Sequence, residues 1–346
     1  MPSIVRAGYR GVIAFAAPLL ASLLFAPASK AQPYWVEDLG SAGNDHIADV
    51  QVDTDGSIYV TGEFGGTVQF GDASYSSAGS IDFFAARLDP DGNVVWFKQG
   101  GGAGIDRGLK VSVGSGSVIA VTGEFLGTAT FQAQSMISAG GTADMYVAVL
   151  NKSDGALQWI RQGGGSAGTD RPSGVSIGED GSVCVAGEFR GAASWNGNTL
   201  VSMTDPDTGQ PSADVFVVSY SGTGAFNWIK KGTAKYADRA VDLVHDPLGN
   251  IYITGQFSDT ITFDQTHTNT LLNASFLLRM DAQGNEVWFR RFGGAGFNHV
   301  RDMVRAPDGR LLLTGDLQGT MMWAGPPSVT IPSGAANAYY LIAVDP

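Results

Sequence analysis

The sequence contains very little cysteine and histidine: one cysteine, Cys184, and four histidines among 346 residues. A single cysteine excludes an intrachain disulfide, although a core of this size needs none, so the lone cysteine does not argue against export. The histidines show no metal-ligand spacing. The composition therefore predicts no metal, and no motif for another cofactor is found.

Positive charge is also scarce, with 21 Lys and Arg residues against 33 Asp and Glu, a net charge of −12. A surface of this sign repels phosphate backbones, and nucleic acid is therefore not expected as a partner.

Long apolar runs are missing after the N-terminus. Arg6 and Arg10 precede an apolar, small-residue-rich stretch from Gly11 to Ala28, and Ser29-Lys30-Ala31 has the pattern of a cleavage site. We predict a signal peptide over residues 1–31, cleaved after Ala31, and a secreted or periplasmic protein with no membrane span after cleavage. A retained membrane anchor is the alternative.

Removing the leader takes away three basic residues and no acid, which leaves 18 basic and 33 acidic residues, a net charge of −15. Residues 32–346 are expected to form one domain, which we expect to be a monomer.

An internal repeat organises the rest of the chain. One anchor is the tetrapeptide Thr61-Gly62-Glu63-Phe64 and its later copies, whose glycines lie 61, 64, 68 and 60 residues apart. A second anchor is tryptophan, with matching spacings of 61, 63, 69 and 60 residues, at Trp35, Trp96, Trp159, Trp228 and Trp288. Because the spacings of the two anchors change in step along the chain, they define five repeats of about 60–69 residues.

Each repeat reads as β-strands separated by tight turns. In the first, strands are predicted over residues 48–53, 57–64, 83–89 and 94–99, with turns at Asp53–Gly56 and Asp89–Asn93. Aliphatic pairs such as Ile58 and Val60 recur in the second strand, as expected for sheets stacked face to face. Helical periodicity is absent. We predict an all-β protein, a closed five-bladed β-propeller of four-stranded blades.

The two ends of the repeat array complement each other. The fifth repeat stops at Asp345-Pro346 and lacks a tryptophan strand, whereas Gln32–Leu39, with Trp35, is a spare one. Docking this N-terminal strand beside the C-terminal one would complete the last blade and remove exposed sheet edges.

These motifs resemble a known bacterial repeat. The segment Asp82-Phe83-Phe84-Ala85-Ala86-Arg87-Leu88-Asp89, with Gly92-Asn93, Trp96 and Ile58-Tyr59-Val60-Thr61-Gly62, is similar to the SBBP β-propeller repeat family. The resemblance covers nearly all of residues 35–345 and implies export and a propeller fold. It supplies no catalytic residue, and the family is associated with seven-bladed rings rather than five.

A polar ring is the main candidate site. Each first strand begins with a polar pair, and each second strand ends with a carboxylate or amide that the hairpin brings beside it. The ring comprises Asp45, His46, Glu63, Asp106, Arg107, Glu124, Asp170, Arg171, Glu188, Asp238, Arg239, Gln256, Asn298, His299 and Asp316. We expect these residues at one rim of the central channel, where they either bind a ligand or form cross-strand ion pairs that fix strand register.

Other motifs carry less weight. Asp53–Gly56 resembles part of a calcium loop but lacks the later bidentate Glu, and Gly100–Gly104 lacks the Lys-Ser/Thr of a phosphate loop.

Three functions remain open from the sequence. The near-symmetric ring favours a non-catalytic binding or scaffold module with a protein or glycan partner. A glycan-active enzyme is the alternative, in which Glu63, Glu124 and Glu188 would supply paired carboxylates, about 5–5.5 Å apart for retention or about 6.5–9.5 Å for inversion. The third reading is a structural protein of the cell envelope.

Overall fold

The structure, a computed structural model, is built from β-strands. It describes residues 40–41, 43–269, 274–294, 296, 298–324, 329–331 and 338–346. These residues form 29 strands and no helix, and every pair of neighbouring strands is antiparallel. The all-β prediction is therefore confirmed. The predicted leader and the predicted strand Gln32–Leu39 lie outside the described residues. Nowhere in the described ranges is there a helix with the length and apolar character needed to cross a membrane.

The strands, numbered in chain order, repeat with the period seen in the sequence. Repeat 1 contains β1 (His46–Val52), β2 (Ile58–Phe64), β3 (Thr67–Phe70), β4 (Ala73–Ser76), β5 (Asp82–Leu88) and β6 (Val94–Gly102). Repeat 2 contains β7 (Arg107–Val113), β8 (Val118–Phe125), β9 (Thr128–Phe131), β10 (Gln134–Ile137), β11 (Asp144–Asn151) and β12 (Leu157–Gly165). Repeat 3 contains β13 (Arg171–Ile177), β14 (Val183–Arg190), β15 (Ala192–Trp195), β16 (Asn198–Val201), β17 (Ala213–Tyr220) and β18 (Phe226–Ala234). Repeat 4 contains β19 (Arg239–His245), β20 (Ile251–Phe257), β21 (Thr260–Thr262), β22 (Thr266–Thr268), β23 (Ala274–Met280) and β24 (Glu286–Gly294). Repeat 5 contains β25 (Asn298–Arg305), β26 (Leu311–Leu317), β27 (Met321–Ala324), β28 (Val329–Ile331) and β29 (Ala338–Val344).

Consecutive repeats share sheets through a short hairpin that the sequence analysis missed. The hairpin follows each second strand and pairs with the fourth strand of the preceding repeat, which gives six-stranded sheets such as β1-β2-β5-β6-β9-β10. The four strands predicted for each repeat are present in repeats 1–4, and each sheet is longer than predicted by the two strands of the following hairpin. Strands of three or four residues with one or two buried side chains, such as Val68 and Phe70 in β3, leave too short a pattern to recognise.

Among the described residues, the first hairpin has no fourth strand of a preceding repeat to pair with, and the last sheet has no fourth strand of its own. β3 and β4 form a two-stranded sheet, and β25-β26-β29 form a three-stranded one. Gly40 nevertheless pairs with Gln69 of β3. One repeat later, Gly101 of β6 pairs with Thr130 of β9 at the equivalent position.

The core lies between the sheets of successive repeats. Second-strand residues such as Tyr59 and Val60 point to opposite faces, and both are buried. Tyr59 packs in one cluster with Val111 and Ile119 of the next repeat. The predicted stacking of sheets on both faces is thus confirmed. Cys184 is one of these buried strand residues, and burial raises the pKa of its thiol to about 12, which disfavours the reactive thiolate.

Tryptophans of the fourth strands tie each repeat to the next. The indole Nε1 atoms of Trp96, Trp159 and Trp228 donate hydrogen bonds of 2.9, 2.9 and 3.0 Å to turn carbonyls of the following repeat. At the first of these turns Gly155 has a φ of +68°, and a Cβ there would lie 2.8 Å from Trp96. The tryptophans that mark the sequence repeat therefore also join successive repeats at these three places.

The outward faces of repeats 1 and 5 differ from the rest. Val50 is 53% exposed, whereas its counterparts Val111 and Leu243 are 3% and 1% exposed. Leu341 is 68% exposed, whereas its counterpart Ala85 is fully buried. Within the described residues, each of these two faces therefore leaves apolar surface that the inner repeats cover with a neighbouring sheet.

We predict that Phe216→Ala lowers the free energy of unfolding by about 3–5 kcal/mol, because it removes a fully buried ring that packs on Trp195 with ring centroids 4.9 Å apart. Val201→Ala, on a 57% exposed side chain, should change it by less than about 0.5 kcal/mol. Denaturant unfolding followed by tryptophan fluorescence checks both. Equal effects would contradict the assigned core.

Candidate functional site

The predicted polar pairs meet at the start of each first strand. The backbone register places His46 opposite Glu63, Arg107 opposite Glu124, Arg171 opposite Glu188, Arg239 opposite Gln256, and His299 opposite Asp316. The predicted backbone register is confirmed for all five pairs. The register follows from the hairpin turn that joins the two strands, since the turn fixes which residues lie opposite each other.

A β-bulge follows every pair and was not predicted. The register shifts across Ile47/Asp49 in the first repeat, and at the matching place in the other four. A bulge leaves one residue unpaired and re-aims its side chain. The unpaired residues in repeats 3, 4 and 5 are Ser173, Val241 and Arg301, and all three line a pocket at this rim.

This pocket, which we call the rim pocket, has a volume of about 330 Å³. Its polar lining consists of Arg171, Ser173, Glu188, Arg239 and Arg301, and its apolar lining consists of Ala240, Val241 and Val300. Residues from three successive repeats thus form one cavity.

In repeat 2, two carboxylates neutralise the charge of Arg107. Arg107 donates from Nη1 to Glu124 at 2.7 Å and from Nε to Glu63 of the preceding repeat at 2.8 Å. Two of the three carboxylates that the sequence suggested as catalytic groups, Glu63 and Glu124, are therefore held by one guanidinium.

Repeats 3 and 4 are arranged differently. Arg239 donates from Nε and Nη2 to the neutral Oε1 of Gln256, at 3.1 and 2.8 Å. Arg171 lies beside Glu188 in register, yet the described residues include no ion pair or side-chain hydrogen bond for either of them. These two guanidiniums therefore keep their charge available.

In repeat 5 the main partner of Asp316 is the bulge residue Arg301, whereas the sequence predicted His299. Arg301 pairs with Asp316, while His299 Nδ1 lies 3.5 Å from the same carboxylate. Although the partial burial of Asp316 acts in the opposite direction, its contacts with Arg301 and His299 hold its pKa below the usual range. The sequence paired only His299 with Asp316, and it did not include the bulge that brings Arg301 to the same carboxylate.

The polar residue that precedes each register pair lies against the loops and does not line the rim pocket. Asp106, Asp170, Asp238 and Asn298 are buried, so their predicted place on the open rim is corrected. Asp170 accepts N–H bonds from Gly165 and Arg190, and Asp106 accepts the equivalent pair. Asp45, half-buried, accepts from Ser41 and Gly65 in the same way. These side chains satisfy loop backbone that would otherwise be unpaired.

Burial shifts the titration of these carboxyls. It raises the pKa of Asp170 to about 7 and that of Asp238 to about 9, while their backbone donors act in the opposite direction.

A second pocket, which we call the channel pocket, lies between the first strands of all five repeats and has a volume of about 490 Å³. Its charged lining includes Asp49, Lys110, Asp242 and Asp302. Lys110 Nζ lies 3.9 Å from Asp302 Oδ1, so side chains of repeats 2 and 5 meet across it. Burial raises the pKa of Asp242 to about 8, with nearby Lys110 opposing the shift.

The sequence offered a signal for the channel residues. They stand three positions after His46, Arg107, Arg171, Arg239 and His299, where the five repeats carry Asp49, Lys110, Gly174, Asp242 and Asp302. Charge at the middle of an otherwise apolar inner strand marks this position, and the repeats differ there. In the described part of the chain, no group of three or more His, Cys, Asp or Glu side chains is arranged to hold a metal ion.

Comparison with known proteins gives distant similarities. No protein-family model matches the chain. An uncharacterized WD repeat-containing protein, L264 of Acanthamoeba polyphaga mimivirus, is 23% identical over 288 residues, which cover 71% of this chain and 20% of that protein. Regulatory protein FlaEY of Caulobacter vibrioides is 29% identical over 155 residues, 43% of this chain and 15% of that protein. The matched region thus spans a fifth or less of these curated relatives.

We predict that the free energy of unfolding falls by roughly 1–3 kcal/mol per pH unit between pH 7 and 9, because each of two carboxyls contributes up to about 1.4 kcal/mol per pH unit. Asp242 and Asp238, with pKa values of about 8 and 9, keep protons there that the unfolded chain has released. Stability from a raised pKa is lost as pH rises through the folded value, which sets the sign. Denaturant unfolding at each pH measures the slope. Asp238→Asn should flatten it, whereas Asp91→Asn in an exposed turn should not. A slope near zero in the parent protein would contradict this account.

Proposed function

We propose that the protein is a non-catalytic binding module, a β-propeller of five blades whose ligand docks at the rim pocket. The rim pocket carries the proposal, because three successive repeats supply its lining through the same strand positions and the same bulge. Binding at a rim that several repeats share requires that the repeats surround one axis. The channel pocket supports this arrangement, since all five first strands line it.

The relatives and the strand pattern favour a propeller. The mimivirus protein is described as WD repeat-containing, and WD repeats are four-stranded propeller blades. Neighbouring first strands are also linked in order. Asp49 accepts from Val111 N at 2.9 Å, Ser112 from Ile177 N at 3.2 Å, and Ser176 from His245 N at 3.1 Å.

We further propose that Gln32–Leu39 closes the ring as the missing fourth strand of the last sheet. The bridge between Gly40 and Gln69 supports this, because it repeats the pairing of Gly101 with Thr130 one repeat earlier in the chain. A strand leading into Gly40 would lie beside β3 as β6 lies beside β9. Closure would also cover the exposed Val50 and Leu341 faces.

Export and family membership belong to the same proposal. We propose a member of the SBBP repeat family that is secreted or periplasmic after cleavage at Ala31 and acts as a monomer on a protein or glycan partner. The acidic composition and the signal-like first thirty-one residues support it.

A glycan-active enzyme is a second candidate, now with different residues. Glu63 and Glu124 are both bound by Arg107 and are poor candidates for acid and base. Asp242 has a pKa of about 8 and lies close enough to Asp302 for the two carboxyls to affect each other. A carboxyl that keeps its proton near neutral pH, as Asp242 does, is a candidate for a general acid.

A glycan array with residues 32–346, followed by mass spectrometry of any bound glycan, separates the two candidates. We expect binding with the glycan recovered intact. Ser173→Trp fills the rim pocket and should abolish binding with little change in Tm, whereas Ser115→Trp, in an exposed turn elsewhere, should leave binding unchanged. Hydrolysis that is lost in Asp242→Asn would establish the enzyme instead, and unaltered binding by Ser173→Trp would remove the rim pocket from the proposal.

We predict that replacing Gln32–Leu39 with a Gly-Ser segment of equal length lowers the stability of the mature protein by several kcal/mol, a large part of the roughly 5–15 kcal/mol typical of domains. The replacement should leave β3 and β29 as unpaired edges and two apolar faces uncovered. Thermal unfolding beside the native sequence measures the effect. Identical melting curves would sink the closure proposal.

A further inference from the structure

We propose that the rim pocket binds the anionic group of an acidic saccharide, a carboxylate or a sulfate, through Arg171 and Arg239. This inference rests on the proposed binding function and adds the chemical class of the ligand.

The first support is the charge of the pocket. Its lining contains three guanidiniums and one carboxylate, Glu188, although the chain as a whole carries a net charge of −12. Arg301 has a partner in Asp316, but the other two arginines have no carboxylate within ion-pair distance in the described structure. A cleft of one sign concentrates ligands of the other sign, and here the local field opposes that of the whole molecule.

The second support is the contrast with repeat 2. Arg107 occupies the same register position as Arg171 and Arg239, yet two carboxylates hold it at 2.7 and 2.8 Å. If the arginines served only to fix strand register, the same pairing would be expected in every repeat. Repeats 3 and 4 instead leave guanidinium donors for a ligand.

The third support is Gln256. Its Oε1 accepts two N–H groups of Arg239, and its Nε2 donates to the Val300 carbonyl at 3.2 Å. The amide thus orients the guanidinium without cancelling its charge, where repeats 1 to 3 have Glu at the matching position. A fixed guanidinium fork suits the planar, two-oxygen geometry of a carboxylate and the oxygens of a sulfate.

The remaining lining fits a sugar ring. Ala240, Val241 and Val300 form an apolar floor, while Glu188 and Ser173 offer acceptors for hydroxyl groups. A volume of about 330 Å³ is larger than a bare inorganic anion needs and matches the smaller pockets that take organic ligands.

The experiment is calorimetric titration of residues 32–346 with two acidic probes, trigalacturonate and a sulfated trigalactose. Each probe is compared with a neutral twin, the methyl-esterified trimer and unsulfated trigalactose. We expect at least one acidic probe to bind roughly ten-fold or more tightly than its twin, and added salt to weaken it. Whichever acid binds identifies the anion.

Variants locate the site. Arg171→Ala and Arg239→Ala should each weaken the acidic probe roughly 10- to 100-fold, as expected for loss of a charged hydrogen bond. Gln256→Glu should have a similar effect with the arginine still present, because it recreates the neutralised arrangement of Arg107. Arg310→Ala removes the same charge from a turn where Arg310 pairs with Asp308, and it should change nothing.

The inference would be overturned if the neutral counterparts bound as tightly as the acidic probes. It would also be overturned if the Arg171→Ala and Arg239→Ala variants bound the acidic probes like the parent protein. The binding function itself would survive if Ser173→Trp still abolished binding of the neutral sugar. Failure of all four probes, together with failure on the glycan array, would remove both proposals.

Discussion

The pairing of each first strand with its second strand is the constraint on which the site depends. The tight turn between the two strands fixes the register, and the register places a cation or imidazole beside a carboxylate or amide in all five repeats. The bulge that follows then turns one more side chain toward the rim, which is how Ser173, Val241 and Arg301 come to line the pocket. A repeated backbone thereby presents a different set of side chains in each repeat.

Buried polar groups make this arrangement possible. Asp106 and Asp170 each accept hydrogen bonds from two backbone N–H groups of the neighbouring loops. These bonds fix the loop backbone next to the residues at which the first strands begin. Burial raises the pKa of both carboxyls, because loss of solvent disfavours their charged forms. Their role is to order the loops that position the arginines, while Trp96 and its counterparts join the outer strands of successive repeats.

The sequence predicted the strands and the register pairs because both follow from local rules, the period-two pattern and turn chemistry. It did not predict the bulges, although two adjacent polar residues, Arg301 and Asp302, stand between the buried Val300 and Met303 and break the alternation. It did not reveal that Asp170 is buried while Arg171 is exposed, because adjacent polar residues look alike until the loop path is known. The three- and four-residue hairpins were too short to recognise. The channel charges at Lys110 and Asp242 were visible, but only the fold showed that they share one cavity.

The proposed function requires that the five repeats surround one axis, with Gln32–Leu39 as the proposed closing strand. Amide hydrogen exchange across Ala338–Val344, measured by NMR on residues 32–346, tests this most directly. This strand pairs with β26 on one side, which alone would protect only alternate amides. A closed ring predicts that consecutive interior amides exchange slowly, because the closing strand takes the other set. Fast exchange at every second amide would contradict closure, and with it the shared rim on which the proposed function depends.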